Sequence, residues 1–230
     1  MLTSDDFTTK ADHTILWLDE NMAVPENNES TKEVLATGVN LTSICRSSSA
    51  ERIDQLIVAT EKELNINTRD RLITRPLRMF SDENECFQFI IERLAAGKKV
   101  FLITSGYKGR LIVPQIHKKL SGSIYVFCGN RQWHEQWSGP YEQDIEIYDD
   151  DRGVFGKVIS DVAIYYLTKG QDEQCGLTDA IQYLRWSIRL FRSATLIDKI
   201  DRADYIDIVN EELTSKEQTD DRIGEAAEEQ

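Results

Sequence analysis

Four consecutive apolar residues, Val100-Phe101-Leu102-Ile103, lie between Lys98-Lys99 and Thr104-Ser105-Gly106-Tyr107-Lys108-Gly109. A strand without a polar face has to be covered on both sides, which is the condition of a central strand in a parallel sheet. Parallel neighbours cannot be joined by a tight hairpin, so such a strand demands crossover segments, usually helices, before and after it. The chain supplies both. Short apolar runs at residues 15–18, 77–80, 124–128 and 145–148 read as further strands. Helical patterns follow at 81–96, with Cys86, Phe87, Ile90, Ile91 and Leu94, at 111–120, at 133–137 and at 154–167. Gly97, Gly122 and Gly170 end three of these helices. Alternation of this kind implies an α/β fold with helices on both faces of a parallel sheet. For five strands the flavodoxin-like order 2-1-3-4-5 is expected, with residues 100–103 as the third strand beside the first.

Residues 1–12 read as a loose N-terminus and 13–168 as the sheet domain. Residues 38–75 form an insertion with a helix of its own, opened by a Ser48/Glu51 capping box. Residues 171–214 read as an amphipathic helical extension. Leu177, Ile181, Leu184, Ile188 and Phe191 recur there at spacings of four and three, and Ile200, Ala203, Ile206, Val209 and Leu213 form a second stripe. The acidic stretch 215–230 carries few apolar side chains and is expected to be disordered.

The formal net charge of −13 argues against a nucleic-acid backbone or an anionic membrane as partner, because both would be repelled. No apolar run approaches the roughly 18 residues that span a bilayer. The polar, acidic first ten residues do not read as a signal peptide. Cys45, Cys86, Cys128 and Cys175 are far apart and form no C-x-x-C pair, so a reduced, cytoplasmic setting is expected.

In sheets of this order ligands bind at the carboxyl ends of the strands, where the first and third strands part. That rule gathers Asp19, Glu20 and Asn21 with Thr104, Ser105, Gly106 and Gly109, and sets Gly129, Asn130 and Asp149 at the rim. The turn 105–109 precedes a helix N-terminus, where backbone N–H groups can hold an anion, and its glycines are expected to relieve a turn at positive φ. Ser105 lacks a base for nucleophilic work. His13 falls at the far end of the sheet, His117 in a helix and His134 between two tryptophans, and G-x-S-x-G is absent. No His, Cys and carboxylate spacing suggests a metal, and no cofactor motif occurs. Catalytic residues are therefore not assigned. Trp133 and Trp137 share a helix face, and with the 177–191 stripe they are candidates for contact with a partner protein or a second copy.

The acid pair Asp19-Glu20 resembles the metal-binding acids of phosphorelay receiver domains, which share this fold. The resemblance stops there. Thr104 or Ser105 stands where that family has its phosphoacceptor aspartate, the fourth strand ends in Cys128-Gly129 and the fifth in Tyr148-Asp149. Taken together, residues 16–22, 101–106, 112–114, 124–128 and 134–137 look like a receiver-like, or pseudo-receiver, N-terminal module. That module is found ahead of ADP-ribosyltransferase or tetratricopeptide-repeat regions in multidomain eukaryotic proteins. The likeness covers roughly residues 13–165 and implies a non-catalytic regulatory or protein-interaction module, without an NAD-dependent activity. The alternative expectation is a small-ligand or nucleotide-handling enzyme working at the carboxyl edge through Asp19, Glu20, Ser105 and Gly106.

Overall fold

A computed structural model describes residues 13–20 and 77–228. The loose N-terminus, Asn21, Cys45 and the insertion at 38–75 expected from the sequence lie outside the described residues. The described residues divide into two compact units, one running to Val154 and the other from Phe155.

The first unit carries five parallel strands in the order β2-β1-β3-β4-β5, the flavodoxin-like arrangement expected from the sequence. They are β1 (His13–Leu18), β2 (Leu77–Phe80), β3 (Lys99–Ser105), β4 (Ile124–Phe127) and β5 (Ile145–Tyr148). The helices α1 (Glu83–Ala95), α2 (Gly106–Ile116) and α3 (Arg131–Ser138) connect strands β2 to β5 in turn. β1 and β3 pair along their length, from His13 opposite Lys99 to Leu18 opposite Thr104. Alternate side chains leave the sheet on opposite faces. One face sends Leu16, Leu18, Val100, Leu102, Ile124, Val126 and Ile145 into a core with Cys86, Ile90, Ile112 and Ile116 from α1 and α2. On the other face Trp17, Phe101, Ile103 and Tyr125 are also buried. Burial on both faces is what the uninterrupted apolar run of β3 requires.

Local chemistry sets the helix ends. Asp82 caps α1, its carboxylate accepting from the N–H groups of Asn84 and Glu85 at 2.9 Å each. Glu83 and Glu85 lie in the first turn and Arg93 in the last, in the sense the helix dipole favours. Gly97, at φ 71°, closes the helix in the left-handed region that glycine tolerates. α2 begins at Gly106, earlier than the sequence pattern indicates, and Pro114 falls in its last turn instead of its first. Arg110 and Pro114 are both exposed, so water can reach the carbonyl that the missing proline N–H leaves without a helical partner.

The second unit is helical: α4 (Asp151–Gln171) from Phe155 onward, α5 (Leu177–Asp198) and α6 (Ala203–Glu228). The division falls before the expected boundary at 168 because Ala163 and Leu167 of α4 join Leu184, Ile188 and Phe191 of α5 and Val209 of α6 in one core. Gly170 lets α4 approach α5 closely, since a Cβ there would lie 2.6 Å from Leu184. α6 continues through Glu228, where the sequence reading places a disordered tail from residue 215. Glu, Gln, Lys, Arg and Ala are good helix formers, so the helix seeded by the packed residues 203–213 propagates through the acidic stretch.

Arg202 fastens the link between α5 and α6. Its buried guanidinium donates to both carboxylate oxygens of buried Asp198, at 2.8 and 2.5 Å, to Ser160 Oγ at 3.1 Å and to the Ile200 carbonyl at 2.9 Å. A Cβ at Gly156 would overlap the Asp198 carboxylate. Removing one partner of a buried pair leaves an uncompensated charge and costs about 3–5 kcal/mol, whereas an exposed pair contributes about 0–1 kcal/mol. Asp198→Ala is therefore expected to lower stability several-fold more than Arg185→Ala, which removes the exposed Arg185–Glu217 pair. Urea denaturation followed by circular dichroism measures the difference.

Candidate functional site at the carboxyl edge of the sheet

All five strands end on the same edge, so their terminal residues and the first turns of the following helices converge there. β1 delivers Asp19, half-buried, whose N–H donates to the Phe80 carbonyl at 3.0 Å, followed by exposed Glu20. β2 delivers Asp82 and Glu83. β3 delivers Thr104, fully buried, with its hydroxyl donating to the Ser105 carbonyl at 3.2 Å. Ser105 serves as the N-cap of α2 and accepts a long, 3.4 Å bond from the Lys108 N–H.

Two residues that the sequence does not place among the candidate site residues decide the character of this edge. Lys108 occupies the first turn of α2, where the dipole disfavours a cation. Its ammonium donates to Glu83 Oε2 at 2.7 Å, and its side chain is only 11% exposed. The bond to Glu83 raises the Lys108 pKa, with Glu20 and Asp82 adding to the effect. The same bond holds the Glu83 carboxyl below its ordinary value. The one local signal for this arrangement is a pair of acids at each of two adjacent strand ends, which call for a cation between them.

His134 is the second. Its buried imidazole lies against Gly106, where any Cβ would overlap the ring, and it stands edge-on to Trp133 with ring centres 4.6 Å apart. The Trp137 indole N–H donates to His134 Nδ1 at 3.0 Å. Gly106 and Gly109 are thus required by close packing and not by a positive φ, which the expectation of a glycine turn implied. The glycines at positive φ among the described residues are Gly97 and Gly122. At Gly109 a Cβ would press on Thr104 Cγ2 at 3.1 Å and on Trp137 at 3.4 Å. With Nδ1 accepting from the Trp137 indole, the neutral ring carries its proton on Nε2 and has no lone pair left to take a proton from the Ser105 hydroxyl. His117 lies at the other end of α2, bonded to Asp144 at 2.8 Å.

The rim is structural as well. The Asn130 side chain caps α3 by accepting from the Trp133 N–H at 3.2 Å. Burial pushes the Cys128 thiol up, and the Cys86 thiol up to about 12. Among the described residues no group of His, Cys, Asp or Glu is arranged to hold a metal ion.

The expected partner-binding residues separate. Trp137 is half-buried against the sheet core, while Trp133 is 44% exposed. Ile181, Leu184, Ile188 and Phe191 are buried, and the last three lie in the core of the second unit; Leu177 is half-buried. The stripe does not form a free docking face, because α4 and α6 of the same chain cover it. A groove of about 620 Å³ that the sequence did not announce runs beside β5, between Arg131 and Glu135 of α3 and the strand residues Ile145 to Tyr148.

Burial holds the His134 imidazole below its ordinary value, so the native state favours the neutral ring. The unfolded chain takes up the proton first as pH falls below about 6.5, so native stability is full above that value. It is lost as pH falls from there through the lower, folded pKa. Protonation at Nδ1 would also remove the acceptor of the Trp137 bond. Thermal unfolding is expected to show this loss as pH falls below about 6.5. In His134→Asn, which keeps an acceptor without a titrating group, that segment of the pH profile flattens. No family profile, curated protein or solved structure matches this chain.

Proposed function

We propose that this chain is a non-catalytic, receiver-like regulatory module that acts by binding a partner protein. One observation carries the reading: the switch point between β1 and β3 is occupied by the chain's own pairings. Where a phosphoacceptor carboxylate would stand, Thr104 is buried and Ser105 is committed to capping α2. Lys108 is bound to Glu83, and the imidazole of His134 closes over Gly106. An anion seeking the first turn of α2 finds its cation neutralised and its approach narrowed.

No helix among the described residues is long and apolar enough to cross a membrane. Cys86, Cys128 and Cys175 are free thiols. With the acidity of the chain these features support a cytoplasmic setting.

The test is a thermal-shift series on the full chain with Mg²⁺, acetyl phosphate, ATP and NAD. A ligand present at 100 times its Kd would add about 2.7 kcal/mol of stability and a clear shift. No shift is expected. A shift that Asp19→Ala or Ser105→Ala abolishes would instead establish a ligand-handling site at the carboxyl edge and overturn the non-catalytic reading.

A further inference from the structure

We propose that the edge of β5 accepts an extended, basic segment of a partner protein as a sixth strand of the sheet. The proposal rests on the reading of the chain as an interaction module, and it names where the partner binds and by what chemistry.

The backbone geometry comes first. In a parallel pair, alternate residues turn both N–H and C=O toward the same neighbour. The Tyr148 carbonyl accepts from the Cys128 N–H at 2.8 Å, and the Asp144 carbonyl from the Gly122 N–H at 3.2 Å. Residues 144, 146 and 148 therefore face β4. Ile145 and Ile147 turn their N–H and C=O groups the other way. β5 ends the sheet, and neither isoleucine makes a backbone hydrogen bond across that edge to another described residue. Four outward peptide groups at alternate residues are the template that a further strand requires. The isoleucine side chains pack on the sheet core, so the edge is held in place from behind.

There is room along it. The groove of about 620 Å³ takes Ile145 and Ile147 as one wall and Arg131 and Glu135 as the other, with Glu142 and Glu146 completing it. It carries three carboxylates against one guanidinium: Arg131 is bonded to Glu135 at 2.9 Å, Glu146 accepts from the Tyr148 hydroxyl at 2.5 Å, and Glu142 is exposed. β5 runs directly into Asp149-Asp150-Asp151, of which the first two are exposed. The charge selects the occupant. A strand bearing Lys or Arg at alternate positions complements it. A second copy does not, because two-fold pairing of β5 with itself would bring two acidic edges together.

The experiment uses the full chain, labelled for amide NMR, and an octapeptide of alternating Lys and Val blocked at both ends. Binding is expected to shift the amides of Ile145 and Ile147 and to slow their hydrogen exchange. The double variant Glu135→Lys, Glu142→Lys, which leaves the core intact, is expected to weaken binding about tenfold at low salt. The same Lys–Val octapeptide methylated at every backbone nitrogen has the same charge but cannot donate to a ladder, and it is expected not to protect these amides. Equal binding of the two peptides, or failure of Lys–Val to move either amide, overturns strand addition. Protection that rises with protein concentration without peptide makes a second copy the occupant and also overturns it. An unbiased peptide-display library separates this proposal from the broader one. Selected binders that are acidic, or indifferent to the double variant, overturn the basic-strand inference and leave the interaction-module reading standing. A library that yields no binder overturns both.

Discussion

The pairing of β1 with β3, buried on both faces, is the constraint on which the first unit depends. Each of Val100, Phe101, Leu102 and Ile103 is withdrawn from water, and burial of such a side chain contributes about 1.5–3 kcal/mol before the entropy of ordering is counted. That gain needs helices on the sheet, and helices on the sheet need the crossover connections that make the strands parallel. With every strand pointing the same way, the polar residues that end β1, β2 and β3 are driven to one edge. The acids there follow from the topology, and so does the electrostatic problem they pose. Lys108 answers it, at the cost of placing a cation in the first turn of a helix.

That answer bears on function. A sheet edge of this type provides helix N–H groups and space, and here side chains of the same unit are engaged with one another around the first turn of α2. Ser105 caps, Lys108 neutralises, and His134 seals the approach to Gly106. On the reading proposed above, these engagements within the unit leave the edge poorly suited to a small anion. The surface proposed to take a partner lies elsewhere, along β5 and α3, where peptide groups and carboxylates line a groove.

The helical unit follows a different rule. Its core is a seam of apolar side chains from α4, α5 and α6, tied at one end by Arg202 and Asp198. A buried ion pair is a weak source of stability, because desolvation opposes the Coulomb attraction. Here the guanidinium also meets Ser160 and the Ile200 carbonyl, so that its donors are used. Such a pair fixes which ends of the helices meet more than it adds to their affinity.

The sequence alone determined the fold class and the strand order of this protein, because an unbroken apolar run admits only two-sided burial and the alternation of elements admits few right-handed topologies. It also determined which acids and hydroxyls would share the carboxyl edge, since that follows from strand direction. It could not show what those groups do once together. The reason for Gly106 is a ring 28 positions along the chain, the partner of Lys108 lies 25 positions back, and neither distance leaves a local pattern. The stripe from Leu177 to Phe191 reveals an apolar face but not its cover, because periodicity is blind to the difference between a neighbouring helix and another protein. The tail after residue 214 reads as disordered by composition, yet it extends a helix already nucleated by packing. The tertiary structure decided these points, because each depends on groups that only the folded chain brings within contact distance.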